Sequence, residues 1–586
     1  MKTVAKNLVF SQAEIAVRDE INDGLKKILG KSFSQKSIII DYPPMRVSGD
    51  YSVPCFFLGK ILKQSPNETA KNLAAKFKPN KLIAQAEAAG PYLNFFVKKE
   101  IFNQSVLTEI FKTKDKFGKN KIGRGKKVMV EYFSPNTNKP LTVGHLRNIC
   151  LGVSLVELLK FCGYKVITGT LFNDRGIAIA KTILGYQKWG KNQTPKDAKM
   201  KPDHFVGSFY VKFCQEAKNN PKLEDEAKLV LQKWEKNDKE ILAVWQKLTG
   251  WVISGFKETL KQVGVGNFDE EYYESAFYHA GKEIVESGLK SGVFVKNQEG
   301  VVLAPLQNFG LPDKIVLRPD DTTLYVTQDL YLARLKDRYH LDRSIYVVGS
   351  EQDLYFKQLF KILELLGVKN SANYYHLSYG MIRLPSGKIK SREGLAPGTS
   401  ADQLFDDLIG LAASEVKKRE KDLSVAEIAK RASAIALGAL KFYILTVDAK
   451  TTMVFEPQKS VALLGRTGPY LQYVIARINS IFAKQNNKPS GRVDFSALTG
   501  ETELALIKML ARFPLITAQA AENYQPSLLA NFLYDLAKAF SSFYEHAPVL
   551  KAGVETKKAR LLLIYDVKIV LSLGLELLGI PILEKM

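Results

Sequence analysis

The chain has 586 residues, beyond any single small domain, and its 46% apolar and 25% charged residues exclude a disordered, collagen-like or disulfide-scaffold protein. Its 84 basic against 60 acidic residues give a net charge of +24, which suits a polyanion such as nucleic acid or an anionic membrane, with a merely soluble basic surface as the alternative. Cys55, Cys150, Cys162 and Cys214 lie far apart with no CxxC pair, so neither a zinc site nor a disulfide framework is indicated and a reducing cytosol is expected.

Residues 1–20 mix charges and lack the apolar core of a signal peptide, so secretion is not expected. An amino-terminal unit, residues 1–118, closes with a strand-like AGPYLNFFV (89–97) and a short helical stretch; the Gly/Lys-rich KDKFGKNKIGRGKK reads as a linker. KVMVEYF (127–133) is then a β-branched and aromatic run, a loop with Pro135 and Pro140 follows, and an apolar helix is predicted from about Gly144 to Phe161. A second strand, KVITGTL (165–171), leads into a helix from about Arg175, the alternation of a doubly wound parallel α/β sheet, placed at residues 125–400. Residues 190–300, rich in Lys, Glu and Trp at helical spacing, read as an insertion splitting that sheet. A further strand and helix set is expected from VVLAP (301–305), with SIYVVG (344–349) and a helix from about Asp353 to Leu366, before a Gly-rich loop at 386–398. Residues 401–586 read as amphipathic helices throughout, an all-α bundle. The most apolar stretch, Leu561 to Leu583, is broken by Asp566, Lys568 and Glu576, so no membrane span is expected.

EYFSPNTNKPLTVGHLRN (131–148) sits where the first parallel strand gives way to the first helix, and open α/β sheets bind ligands at the carboxyl ends of their strands. Gly144 permits close backbone approach, His145 lies in the opening helical turn where free N–H groups favour phosphate, and Lys139 adds positive charge upstream. A nucleotide phosphate fits these residues; a turn with a helix-capping histidine fits them equally. A second phosphate-loop candidate, GYQKWGKN (185–192), fails, because Asn192 stands where a magnesium-binding Ser or Thr is required and the segment follows a helix. His204, His279, His340 and His546 are scattered in sequence, with no carboxylate or cysteine at ligand spacing.

PLTVGHLRN resembles the HIGH signature of class I aminoacyl-tRNA synthetases, and the whole 131–148 segment resembles the arginyl-tRNA synthetase family. The likeness continues in family order through FNDRGIAIAK (172–181), LYVTQDLYLA (324–333), YVVGSEQDLYFKQLF (346–360), GKIKSREG (387–394) and GPYLQYVIARI (468–478). It implies a Rossmann-type catalytic domain, an additional amino-terminal domain that touches the tRNA elbow, and a carboxy-terminal anticodon-binding domain. Its substrates would be ATP with Mg2+, L-arginine and tRNA(Arg), without zinc, in a cytoplasmic monomer, and the family's need for tRNA before amino-acid activation carries over. Two positions depart from the signatures. Thr142 replaces the first histidine of HIGH, and the KMSKS-like run reads Lys388-Ile389-Lys390-Ser391-Arg392, with its second lysine one place early. The likeness implies that Lys139 supplies the missing charge beside His145, Lys388 and Lys390 in stabilising the leaving pyrophosphate.

By the same likeness Thr142, Gly144, His145, Ser391, His376 and Met381 contact ATP. Glu131, Tyr325, Asp329 and Gln352 contact the arginine side chain, and Ser134 and Asn136 hold its amino and carboxylate groups. Charge agrees with this, since a planar guanidinium is best held by carboxylates, and Tyr325 and Asp329, four apart, share one helix face. Taken without the likeness they are a surface pair on an amphipathic helix. For RNA the likeness points to Tyr92 as a stacking surface, Asn94 as a base-edge reader, and Tyr470, Tyr473 and Arg477 on one helix face for unstacked anticodon bases. Core aromatics and a plain sheet edge are the alternatives. A tRNA-binding paralogue without catalysis is the rival function, suggested by Thr142 and the irregular lysine loop.

Overall fold

The computed structural model describes residues 9–30, 38–43, 47–278, 280–320, 324–385, 400–485 and 489–586. The amino-terminal unit is α+β: α1 (Gln12–Leu29), β1 (Tyr51–Pro54), α2 (Phe56–Leu62), α3 (Pro66–Lys76), β2 (Ile83–Ala89), β3 (Tyr92–Val97) and α4 (Lys99–Thr113). Its antiparallel sheet has the order β1-β3-β2. Helix α1 forms because Val17, Ile21 and Leu25 recur every four residues and bury one face, while Ser11 caps its first turn by accepting Glu14 N–H.

The centre of the molecule is a five-stranded sheet of order β11-β10-β4-β5-β6, every pairing parallel. Its strands are β4 (Lys127–Glu131), β5 (Lys165–Phe172), β6 (Glu270–Tyr273), β10 (Arg343–Gly349) and β11 (Tyr375–Tyr379). The chain fills the sheet outward from β4 to β6, then returns to β10 and β11 on the other side of β4. That reversal places the topological switch point between β4 and β10, where doubly wound sheets open a crevice for ligands. Val128, Met129 and Val130 of β4 are all buried, as expected of a strand covered on both faces.

Helix α5 (Val143–Phe161) crosses from β4 to β5 and is apolar nearly all round, because the sheet covers one side and the carboxy-terminal helices the other. Gly152 lets it approach so closely that any side chain there would meet the Tyr132 ring at 2.3 Å. Helices α6 (Ile177–Trp189), α7 (Pro202–Asn219), α8 (Lys222–Glu235) and α9 (Lys239–Gln262) link β5 to β6. The region expected as an insertion over 190–300 therefore holds a strand of the main sheet, since EEYY is too short and too charged to read as one. After α10 (Gly281–Lys290), β7 (Val295–Lys296), β8 (Val302–Ala304) and β9 (Lys314–Leu317) form a separate antiparallel sheet. VVLAP thus belongs to this small sheet and not to the parallel one. Helices α11 (Tyr325–Leu335) and α12 (Asp353–Leu365) flank β10.

The carboxy-terminal unit is α13 (Ala401–Arg419), α14 (Val425–Leu445), α15 (Pro457–Ser460), α16 (Gly468–Ala483), α17 (Glu501–Glu522), α18 (Pro526–His546) and α19 (Val554–Leu577). One short strand interrupts the expected run of helices: β13 (Met453–Val454) pairs in parallel with β12 (Ile382–Arg383). Helix α17 has the length and mean hydropathy, 1.3, of a membrane span, yet 67% of that window is buried inside the bundle. It is packed as a core helix.

Arg147, on α5, is fully buried and ties these parts together. Its guanidinium donates to the carbonyls of Gly380 at 2.7 Å and Met381 at 3.3 Å, and to those of Asp448, Ala449 and Thr451 at 3.1, 3.0 and 2.7 Å. Burial pulls its pKa down to about 10, which leaves it charged at neutral pH. Arg147→Met strands those carbonyls without a donor, so chemical denaturation should show a loss of about 3–5 kcal/mol, and a loss below about 1 kcal/mol would contradict the assigned role.

Candidate active site

At the end of β4 the chain makes a turn that apolar residues rarely make. Phe133 is fully buried with φ of 67°, in the left-handed region, a conformation that costs on the order of 1–2 kcal/mol for a residue with a side chain. Asn148 of α5 holds it there, accepting Phe133 N–H while its amide donates to Val347 O on β10. One side chain thus spans the switch point. The turn sends Ser134 and Asn136 over a cavity of about 720 Å3. Glu131, Ser134, Asn136, Tyr325, Asp329 and Gln352, drawn from β4, its loop, α11 and the end of β10, all line it, so the six residues expected around an amino acid share one space.

Their electrostatics differ from one another. Glu131 is buried and ion-paired with the fully buried ammonium of Lys336, a partner 205 residues away that sequence reading missed. Burial opposes charge on Lys336, but Glu131 and the Tyr346 hydroxyl outweigh it and hold its pKa above the ordinary value. Glu131 therefore brings no net charge to the cavity wall. Asp329 accepts a hydrogen bond from Tyr355, and burial pushes its pKa up to about 6. Glu274, just beyond β6, was also missed; it lines the cavity at 4% exposure with Oε2 lacking any hydrogen-bond partner, and burial pushes it to about 7. Two desolvated carboxyl groups, one with an open acceptor, thus face a cavity that Lys314 also lines, with the Arg175 charge acting on Glu274. Tyr325, 70% exposed at the start of α11, supplies a ring at the rim.

A second cavity of about 280 Å3 adjoins the amino terminus of α5, lined by Lys139, Thr142, Gly144, His145 and Met381 among others. Thr142 N–H donates to Nδ1 of His145 at 3.0 Å, and the Thr142 hydroxyl lies 2.9 Å from the same nitrogen. A ring nitrogen that accepts from a backbone N–H carries no proton, so the neutral imidazole bears its hydrogen on Nε2. Burial, with Lys139 nearby, lowers the His145 pKa to about 4 and keeps it neutral. Thr142 thus orients the remaining histidine while lining the cavity where the phosphate contact is expected of it. His376 is not part of this lining; it is stacked on Phe356 at 4.4 Å, with Nε2 against Val348 O at 3.0 Å and Nδ1 3.3 Å from Asp353. Lys388, Lys390 and Ser391 lie outside the described residues.

The chain from Ser400 onward is held against the same helix start. Ala401 N–H donates to Leu141 O at 2.9 Å, and Thr142 and Ser400 form a bridge. Asp402 is clasped by Lys201 at 2.9 Å, His204 at 2.7 Å and Thr259 at 2.8 Å. His204 is therefore not isolated; its partner lies 198 residues away. The Asp203, His204 and Asp402 group has metal-like spacing, but the Lys201 ammonium contacts both carboxylates.

The residues expected to meet RNA sort less uniformly. Tyr92 is half-buried with its ring edge-on to the exposed Phe56 at 5.9 Å. Asn94 is 1% exposed; its Oδ1 accepts from Ser52 at 2.7 Å and its Nδ2 donates to Ser48 O at 2.8 Å. It is a buried strut, and the expectation of an edge reader is corrected. On α16, Arg477 donates to the Tyr473 hydroxyl at 2.6 Å and lies over the Tyr473 and Tyr544 rings. The Tyr470 hydroxyl is bonded to Ser541 at 2.8 Å, which leaves Tyr473 and Arg477 as the more available pair.

Three family models match successive parts of the chain. The family described as tRNA synthetases class I (R), catalytic domain, matches residues 106–456; the arginyl tRNA synthetase N terminal domain matches 16–97, and the DALR anticodon binding domain 471–586. A curated relative from Treponema denticola, arginine–tRNA ligase, is 41% identical over 94% of this chain and 95% of its own length. Another of that name from Borrelia turicatae is 37% identical over 99% and 100%. The solved arginyl-tRNA synthetase of Thermus thermophilus superposes with a TM-score of 0.82 at 25% identity, covering 98% of this chain and all of that one.

Proposed function

The chain belongs to the class I arginyl-tRNA synthetase family and is an ATP-dependent ligase joining arginine to tRNA, and on that premise we propose how its residues divide the work. The observation that carries the proposal is the carboxylate-lined cavity at the switch point, directly beside a cavity suited to phosphate. Arginine lies with its guanidinium between Asp329 and Glu274, its plane against the Tyr325 ring and Gln352 beside its side chain, and its amino and carboxylate groups toward Ser134 and Asn136. Its carboxylate oxygen attacks the α-phosphorus of ATP, the bond to the bridging oxygen breaks, and pyrophosphate leaves. The His145 Nε2–H, Lys139 and the N–H groups opening α5 stabilise the charge that develops, with Lys388 and Lys390 as further cations and Mg2+ arriving with ATP as part of the substrate. A terminal ribose hydroxyl of the tRNA then attacks the acyl carbon and releases AMP.

Tyr92, Tyr473 and Arg477 are proposed to meet the tRNA, and the +24 charge supports its capture. The four free cysteines suit a reducing cytoplasm, where the chain acts as a monomer. A non-catalytic paralogue would have no use for a desolvated acidic cavity.

Labelled-amino-acid attachment to total tRNA tests the reading. Arginine should be charged while lysine and glutamine are not, and Asp329→Ala should cut kcat/KM for arginine by about 100-fold or more; charging of lysine at a similar rate would sink the pocket assignment. Because only ionised Asp329 and Glu274 attract the cation, and burial raises both pKa values, affinity is full above about pH 8 and falls with acidification. The arginine KM should rise on the order of tenfold between pH 8 and pH 6, and a flat profile would contradict the two carboxylates as ligands.

A further inference from the structure

FNDRG, at the carboxyl end of β5, contributes Asn173 to the lining of the larger cavity and engages its polar residues with three other segments. Asn173 pairs with Asn136 in an isolated parallel bridge, and its carbonyl accepts Thr137 N–H at 3.0 Å, which fixes the loop carrying Ser134 and Asn136. Asp174, 2% exposed, turns toward β6: one carboxylate oxygen accepts the Ser275 backbone N–H at 2.9 Å and the other its hydroxyl at 2.6 Å. The Asp174 carbonyl accepts the Trp245 indole N–H at 2.7 Å, so the aspartate is itself held by α9 of the inserted helices. Arg175 pairs with Glu235 and stands over the Tyr278 ring at 4.0 Å.

Ser275 directly follows Glu274, and both belong to a single 3-10 turn, Glu274–Ala276, that closes β6. Strand β6 is short, lies at the sheet edge and pairs only with β5. Ends of such strands open at little cost unless tied down. A carboxylate gripping both the N–H and the hydroxyl of one residue fixes the peptide orientation and the χ1 angle immediately beyond Glu274. We propose that Asp174 is a positioning residue that fixes the Glu274 carboxylate in the guanidinium cavity and so sets affinity for the amino acid. This rests on the reading of Glu274 as a guanidinium ligand. It also gives the inserted helices a route to that affinity, because Trp245 and Glu235 hold the same segment.

The test is steady-state aminoacylation by the full chain, with arginine and ATP varied separately, for Glu274→Gln, Asp174→Ala, Asp174→Asn and the Asp174→Ala/Glu274→Gln double variant. Asp174→Ala should raise the arginine KM by about tenfold while kcat and the ATP KM stay within about threefold, and in the Glu274→Gln background it should add less than about twofold. Asp174→Asn, which still accepts from the Ser275 N–H and donates to its hydroxyl, should recover most of the affinity. Equal rises in both KM values, or an undiminished effect in the Glu274→Gln background, would reduce Asp174 to a general structural role and overturn the proposal. If Glu274→Gln raises the arginine KM but Asp174→Ala does not, the positioning role alone falls; if Glu274→Gln changes nothing, the ligand reading falls and takes the proposal with it. Should Asp174→Ala fail to fold, Ser275→Ala removes only the hydroxyl arm, with an expected rise of about threefold that vanishes in the Glu274→Gln background.

Discussion

The start of α5 is the constraint on which the rest depends. Two adjacent residues there, Arg147 and Asn148, are buried and spend their side chains on backbone from other elements. Asn148 joins the end of β4 to β10 across the switch point, and Arg147 gathers carbonyls from the segment after β11 and from the 448–451 segment of the carboxy-terminal unit. Both terminal nitrogens of the buried guanidinium are met by these carbonyls, with Nε left unpartnered, and carbonyls that lose it have no water to replace it. The crevice proposed to bind substrate and the helix amino terminus proposed to meet phosphate are thereby tied to each other and to the carboxy-terminal unit through two adjacent residues of one helix.

The cavity achieves its charge by subtraction. Of the carboxylates lining it, Glu131 is paired with Lys336 and Asp313 accepts from Leu306 N–H and the Gln307 amide, while Asp329 and Glu274 are desolvated and raised in pKa; Lys314 is the cation on the same lining. Removing the ammonium alone would leave Glu131 buried and unpaired, the costly half of any buried pair. Two desolvated acids on one cavity favour a guanidinium, with donors on both edges of a fixed plane, over a compact ammonium. The neighbouring cavity, proposed for phosphate, is lined instead by a neutral histidine, Lys139 and the amino-terminal turn of α5.

Much of this was legible in the sequence because burial on both faces writes continuous apolar runs, as in KVMVEYF and SIYVVG. The 131–148 segment carried its own geometry, and all six residues expected around the amino acid converge. What escaped shares a physical cause. Strand β6 is four residues of acid and tyrosine at a sheet edge, where no periodicity can build. Glu274, Lys336 and Asp402 act through partners distant in sequence, and neither spacing nor composition reports such pairs. Asn94 misled because a polar residue in an apolar strand reads the same whether it faces RNA or braces a turn; only its burial against Ser48 and Ser52 decides.

The central claim is that charge complementarity in the switch-point cavity selects the substrate. It is tested most directly by the ATP–pyrophosphate exchange rate with tRNA present, comparing L-arginine with L-citrulline, which has nearly the same shape but no charge. Two carboxylates left without a cation should lower kcat/KM for citrulline by about 10³-fold or more. Discrimination of less than about tenfold would mean that shape, and not the pair of acids, selects the amino acid.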